Sequence, residues 1–394
     1  MENWVTDLRA QVPVTKICTY LDCAYDCGGT TFGAAAAQQY FTDWAKSAAA
    51  IERGGPGRKT FFDLADATRQ MICTLIGAED PKGVTFTRNT NEGISHILMG
   101  FDDFREGDNI LVCDIEHPSV LMPCLNARRL RGVETRVLSA AEGEYLPAEM
   151  FMDAADEHTR MMVLSHVQSG NGCKADLEKL GAFCKERGIY LIVDAIQSLG
   201  FSVFEAEKWG VSAVSAGGYK GLLAGESSAF LWISPDLLPH IWPTYTAAGM
   251  AMTVDRTVPG LDLLCTDPHS ARKLENSSLD APGIYMLHAG ISRVLEIGPA
   301  NIQAHIRSLY EKLWDGLKAL GIEPVTPRAE IGSCAAVAFD LPDKTTFFEG
   351  MKAHGIVLTN SRLLRISLGA FNTEEDVEKA LAAAKEILKS ASLS

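Results

Sequence analysis

From about residue 60 to 235, short unbroken hydrophobic runs alternate with longer stretches in which apolar side chains recur every three or four positions. Runs such as Asn109-Ile110-Leu111-Val112-Cys113 and Ile189-Tyr190-Leu191-Ile192-Val193-Asp194 have no polar alternation, so they predict strands buried on both faces. Strands are predicted over 83–87, 109–114, 134–138, 161–167, 189–194 and 211–216. Helices are predicted over 61–76, 91–101 and 176–187, with Gly77 and Gly188 as stop signals. This alternation implies an α/β fold with a mainly parallel sheet covered by helices on both faces. Ligands of such sheets gather at the carboxyl ends of the strands.

After Ser234 the pattern loosens into a loop-rich stretch through Pro243, Pro259-Gly260 and Pro268. A helical region then runs over 283–320, followed by a strand at 335–339, a helix at 344–354 and a short strand at 363–367. The last helix is expected to start at Asn372-Thr373-Glu374-Glu375 with a capping box between Asn372 and Glu375. Its Val377, Leu381, Ala384 and Leu388 form one apolar face. The expected division is a large domain over 20–282 and a small α+β domain over 283–394, joined by residues 1–19.

At 394 residues the chain can bury a large core. Its formal charge of −14 argues against a nucleic-acid or acidic-membrane partner, because nothing would offset phosphate repulsion. No apolar stretch reaches the roughly 20 residues that span a bilayer, and the first residues lack a basic-then-apolar leader, so a cytoplasmic location is expected. Ten cysteines are spread along the chain and read as reduced thiols rather than a disulfide framework. Cys23 and Cys27 have no second pair or histidine cluster beside them, so no metal site is expected.

The candidate chemistry lies at strand ends. Asp194 closes one buried run, and Lys220 follows the next in Ser215-Ala216-Gly217-Gly218-Tyr219-Lys220-Gly221. A lysine amine can form a Schiff base with an aldehyde cofactor, and a buried carboxylate can keep a pyridine nitrogen protonated. That pairing suits pyridoxal 5'-phosphate (PLP). Phe86-Thr87-Arg88-Asn89-Thr90-Asn91-Glu92-Gly93-Ile94 is a strand leading into a helix start, where free N–H groups favour a phosphate. The same residues Thr90 and Asn91 would equally serve as a helix cap. Glu116-His117-Pro118-Ser119 places an imidazole where it can stack on a ring, or else forms a plain turn. Ser165-His166-Val167-Gln168-Ser169-Gly170 ends another strand and can face the cofactor edge, although His166 also reads as an internal histidine. Arg365, in Leu364-Arg365-Ile366-Ser367, can grip a carboxylate with two hydrogen bonds.

Taken in order, these segments resemble the class V aminotransferase superfamily of fold-type I PLP enzymes. The branch is the one holding cysteine desulfurases, selenocysteine lyases and isopenicillin N epimerase. The resemblance runs from Tyr20-Leu21-Asp22 to Asn372-Thr373-Glu374-Glu375-Asp376. It implies a large domain with a mainly parallel seven-stranded sheet and a small α+β C-terminal domain. It implies that Lys220 carries the cofactor, Asp194 pairs with the pyridine nitrogen, Gln197 contacts the phenolic oxygen and His117 stacks on the ring. Thr90, Asn91 and Tyr219 would hold the phosphate, and Arg365 the substrate carboxylate. Lys273-Leu274-Glu275-Asn276-Ser277-Ser278 is similar to the segment that reaches the neighbouring subunit's phosphate through Ser278, implying a homodimer with shared active sites.

The chain departs from the family in three places. The Ser-Gly-His-Lys tetrad common there reads Gly217-Gly218-Tyr219-Lys220, the tyrosine resembling the kynureninase arrangement. Asn91 stands where many members have threonine, and Ser169 where many have asparagine. The stretch His354-Gly355-Ile356-Val357-Leu358-Thr359-Asn360-Ser361-Arg362 lacks the cysteine that takes sulfur in desulfurases, and Cys334 reads as a core residue well before it. The expected activity is therefore an aminotransferase-like reaction on a small amino acid. A β-eliminating C–S or C–Se lyase and an epimerase are the catalytic alternatives, and a PLP-fold binding module without catalysis is the other. Trp242, Tyr245, Tyr25, Arg58 and the Gly54-Gly55-Pro56-Gly57 turn are candidates for shaping the pocket.

Overall fold

The computed structural model describes residues 3–46, 56–140, 146–246, 251–328 and 336–391. Its centre is a seven-stranded sheet in the order Val84–Thr87, Ala229–Ile233, Ala213–Gly217, Tyr190–Asp194, Thr159–Ser165, Asn109–Cys113, Glu134–Leu138. All neighbours run parallel except the Ala229–Ile233 strand, which is antiparallel to both of its partners.

The unbroken apolar runs have a two-sided explanation. Leu111, Cys113, Met162, Leu164, Leu191 and Val193 enter one hydrophobic core, with Ile72 and Ile76 of helix Pro56–Ile76 and Leu180 and Cys184 of helix Leu177–Arg187. The alternate residues Ile110, Val112, Met161, Val163 and Ile192 enter the other core. There they meet Ile94 and Ile97 of helix Thr90–Gly100 and Val120 and Cys124 of helix Pro118–Arg131. Each fully buried aliphatic side chain contributes about 1.5–3 kcal/mol, so a strand serving two cores has no position free for polarity.

The first core continues through helices Ala281–Ile297 and Pro299–Ala319 to a three-stranded antiparallel sheet in the order Val337–Phe339, Leu364–Ile366, Thr359–Asn360. Helices Lys344–Ala353 and Glu374–Ala391 pack with that sheet. The chain's beginning is stitched to its end. Thr19–Tyr20 pairs in parallel with Ile356–Val357, and Asp22 bridges to Ser367.

Two local expectations are corrected. The stretch beyond Ser234 is not only loop, because Met252–Asp255 and Asp262–Cys265 form an antiparallel hairpin. The last helix is capped one residue later than Asn372. Asp376 accepts from the Thr373 N–H at 3.0 Å, the half of a capping box that the third helical residue supplies. Asn372 is occupied elsewhere: its amide oxygen accepts from Gly369 N–H at 2.7 Å and its nitrogen donates to Tyr20 O at 3.0 Å. Among the described residues, no helix is long and apolar enough to cross a membrane. Cys334, Gly54 and Gly55 lie outside the described residues, as does the side chain of Arg58.

Candidate active site

The carboxyl ends of the central strands bring Asp194 and Lys220 together, both almost fully buried, at 3 % and 7 % exposure. Burial pushes the Asp194 carboxyl up to about 6, against the pull of the Ile196 N–H bond and the Lys220 charge. Burial also brings the Lys220 amine down to about 8, although Asp194 favours its charged form. A lysine with that value has an appreciable neutral, nucleophilic fraction near neutral pH. Gln197 lies in the turn after Asp194. One of its N–H groups donates to Ala24 O at 3.0 Å, and its carbonyl oxygen is buried with no protein partner.

The phosphate side is set by close packing of helix Thr90–Gly100 on the Ala213–Gly217 strand. The Thr90 hydroxyl accepts from Gly217 N–H at 3.1 Å, and the Ser215 hydroxyl donates to Thr90 O at 3.0 Å. Gly93 permits this approach, since a Cβ there would stand 2.2 Å from Ser215 Oγ. Asn89 is the cap, accepting from Glu92 N–H at 2.9 Å. The Asn91 side chain turns outward and donates to Ser119 O at 3.3 Å, leaving its backbone N–H at the helix start. Tyr219 is half-buried, its ring centroid 5.8 Å from Lys220 Nζ.

His117 is the N-cap of helix Pro118–Arg131, its Nδ1 accepting from Ser119 N–H at 3.1 Å. That bond fixes the neutral tautomer with its proton on Nε2. Burial lowers the His117 pKa, and the Lys220 and Arg365 charges lower it further. Its ring remains exposed to the cleft.

Arg365 arrives from the small antiparallel sheet. It donates to Ser169 O and to Thr359 Oγ1, the latter at 3.0 Å, and stands 3.7 Å from Asp22. Thr359 also donates to Asp22. Asp22 and Thr359 were not singled out as site residues from the sequence. Asp22 appeared there only as part of a segment marking where the resemblance begins, and Thr359 only in the stretch lacking a cysteine. Glu116 was likewise passed over beside His117, yet it is buried and bonded to Ser165 and Gln168.

Some sequence candidates lie elsewhere. His166 is the internal histidine that its sequence context favours, buried in an edge contact with Phe204 and a tilted one with Trp209. Trp242 donates to Asp102 at 3.1 Å, by the far end of helix Thr90–Gly100. Tyr245 donates to Glu92 at 2.6 Å. Ser278 is exposed and lines a separate cleft of about 370 Å³ with Tyr245, Ser227 and Arg88; none of Lys220, Asp194 and His117 lines it.

The donor set fits PLP. A buried carboxylate could pair with a ring nitrogen, a buried amine could bond to an aldehyde, and the Gln197 oxygen is buried with no protein partner, as a residue that accepts from a bound group would be. Asp194 would hold the ring nitrogen, Lys220 the aldehyde carbon, His117 the ring face and the Thr90 helix start the phosphate. Fold and site together define a PLP-dependent enzyme of fold-type I.

The chain belongs to the class-V aminotransferase family, whose pattern it matches over residues 34–380, and its cofactor is PLP. A probable cysteine desulfurase of Methanothermobacter thermautotrophicus is 29 % identical over 324 residues, covering 80 % of this chain and 77 % of that one. An uncharacterised aminotransferase of Schizosaccharomyces pombe is 25 % identical, covering 80 % of each. Among solved structures, an Escherichia coli cysteine desulfurase superposes with a TM-score of 0.85 at 20 % identity over 99 % of both chains. A cystine C–S lyase in complex with its product, cysteine persulfide, gives 0.84 at 20 % identity, covering 95 % of this chain and 99 % of the other.

Proposed function

We propose that the protein is a PLP-dependent lyase that breaks the C–S or C–Se bond of a small amino acid by β-elimination and releases the sulfur or selenium to solvent. The carrying observation concerns thiols. The turn from Thr359–Asn360 to Leu364–Ile366, which presents Arg365, contains no cysteine. The thiol near Lys220 is Cys27, which is 1 % exposed, tied by its N–H to Tyr219 O and directed to Cys23 O. A closed thiol cannot take sulfur from a substrate. The desulfurase relatives and the resemblance to a cystine C–S lyase support C–S chemistry; the lack of a cysteine in the turn before Arg365, and of an open thiol beside Lys220 among the described residues, supports direct release.

When bound, PLP supplies an electron-withdrawing ring that acidifies the α-carbon of an attached amino acid. Arg365 binds the substrate carboxylate, with Asp22 and Thr359 fixing the guanidinium. Lys220, with its amine brought into the neutral range, accepts the α-proton. Asp194 would hold the ring nitrogen in its protonated form. His117 supports the ring face and carries a proton on Nε2 for the departing group.

Transamination, the first expectation from the sequence, uses the same binding steps and is the second reading, favoured by the S. pombe relative. We also propose a homodimer with shared active sites, with Ser278 reaching the partner's cofactor phosphate. The deciding experiment mixes the PLP-loaded enzyme with cysteine, cystine and selenocysteine. Sulfide, selenide or a persulfide should appear together with a keto acid and ammonia. Transfer of the amino group to the cofactor without sulfur or selenium release would overturn the lyase reading and leave transamination.

A further inference from the structure

Glu116 is a buried carboxyl for which the family roles leave no task. It lies at the end of the Asn109–Cys113 strand's loop, next to His117 and against the neighbouring Thr159–Ser165 strand. Its Oε1 accepts two N–H donors, Ser165 N at 2.9 Å and Gln168 Nε2 at 2.6 Å. Its Oε2 meets the Ser165 hydroxyl at 2.6 Å. No ion pair among the described residues includes Glu116.

The geometry locates the proton. An oxygen that already accepts from two N–H groups acts as a carbonyl-type acceptor and has no place for a hydrogen. A proton on this carboxyl therefore sits on Oε2, where the Ser165 hydroxyl can accept as readily as it donates. Ser165 is also the register partner of Asp194 in the parallel pair, so both side chains leave the sheet on the same face. Glu116 is bonded to Ser165, and Asp194 stands on the next strand in register with that serine, near enough for its charge to act on Glu116; two like charges in such a place disfavour each other. The other titratable or charged groups around Glu116 are Cys113 on the preceding strand, Cys124 on helix Pro118–Arg131, Asp114 and His117 on its own loop, and Arg362, which lines the same cavity from the turn before Leu364–Ile366. Lys220 acts on the Asp194 side.

We propose that Glu116 is a positioning residue that holds a proton on Oε2, donated to Ser165 Oγ, so that the pair's one negative charge rests on Asp194, where the ring nitrogen needs it. Its Oε1 meanwhile clamps the Ser165–Gln168 strand end to the loop carrying His117. The proposal rests on PLP as the cofactor and is independent of whether the reaction is elimination or transamination. Burial, with Asp194 adding to it, raises the Glu116 pKa to about 7, in keeping with this arrangement.

The test is Glu116→Gln. Its carbonyl oxygen can take both N–H donors and its amide can donate to Ser165 Oγ, a permanent copy of the protonated acid. A carboxyl whose folded pKa is raised contributes stability at low pH that is lost as pH rises through the folded value. The apo-protein's Tm should therefore fall between the ordinary glutamate value of 4.5 and about 7 and level off above it, and in E116Q the fall should be shallower and end near 6, the part that Asp194 supplies. Infrared spectra of wild-type protein at pH 6 should show a protonated-carboxyl carbonyl band that E116Q removes. In the PLP-loaded enzyme, the visible cofactor band of wild type should shift above pH 7, and that of E116Q should not. An unchanged fall in Tm in E116Q, or no carboxyl band lost, would overturn the proposal. Failure of PLP to bind would instead count against the cofactor-site reading, and the apo Tm and infrared results would still decide on Glu116.

Discussion

Asp22 and Arg365 face each other at 3.7 Å, one from the first paired segment of the chain and the other from the last strand before the final helix. Thr359 bonds to both. The proposed carboxylate clamp is therefore a small network built where the two ends of the chain are stitched together, and its guanidinium is already held in place by Asp22 and Thr359.

That network predicts a split between binding and turnover. Asp22→Asn should raise KM about tenfold with a smaller change in kcat, the loss of one charge-assisted contact. Arg365→Lys should raise KM roughly 100-fold, because an ammonium cannot reproduce the planar two-pronged grip. Steady-state kinetics on both variants checks this; an equal fall in kcat with KM unchanged would contradict the assignment.

Lys220 should capture the cofactor with a pH dependence of its own. Only the neutral amine attacks an aldehyde, and burial brings this amine down to about 8. The rate at which apo-protein acquires its visible PLP band should rise with pH to half its plateau near 8. A midpoint above 10 would mean that Lys220 is solvated rather than buried, and Lys220→Ala should acquire no such band.

His117 combines a helix cap with a ring face, and two variants separate them. His117→Ala should lose about 1 kcal/mol of stability with the cap and release PLP about tenfold more readily. His117→Asn should recover the stability, since asparagine is a good cap, without recovering cofactor affinity. Denaturant melts and equilibrium dialysis give the two readouts.

Gly93→Ala should disturb the phosphate side by overpacking. The added methyl stands 2.2 Å from Ser215 Oγ and 3.0 Å from its Cβ. A loss of about 1–3 kcal/mol is expected, together with weaker PLP retention, because the same shift moves Thr90 away from Gly217. Adding Ser215→Ala should restore part of the stability by removing the clashing hydroxyl; no recovery would point to backbone strain instead.

Much of the sheet was legible in the sequence because strands serving two cores can carry no polar alternation, as Leu191, Ile192 and Val193 show. The Met252–Asp255 and Asp262–Cys265 hairpin was not legible. Its side chains are mostly exposed, so no burial pattern marks it. The cap of the last helix was misplaced by one residue because Asn372, a good cap by type, is drawn to Tyr20 from the other end of the chain. His166 follows Ser165 by one residue, so the period of two turns it to the opposite face, into the aromatic contacts of an internal histidine, as its context suggested.

By itself the sequence determined the alternation of buried strands with helices over residues 60–235, the Asp194 and Lys220 pair at strand ends, and the absence of a cysteine before Arg365. These are local facts, written in residue type and spacing. Only the tertiary structure decided what surrounds them: that Asp22 braces Arg365, that Glu116 is bonded to the serine in register with Asp194, that Cys27 is closed off beside Lys220. Such neighbours come from segments far apart in the chain, and their burial, which moves a carboxyl to about 6 and an amine to about 8, exists only once the layers close over them.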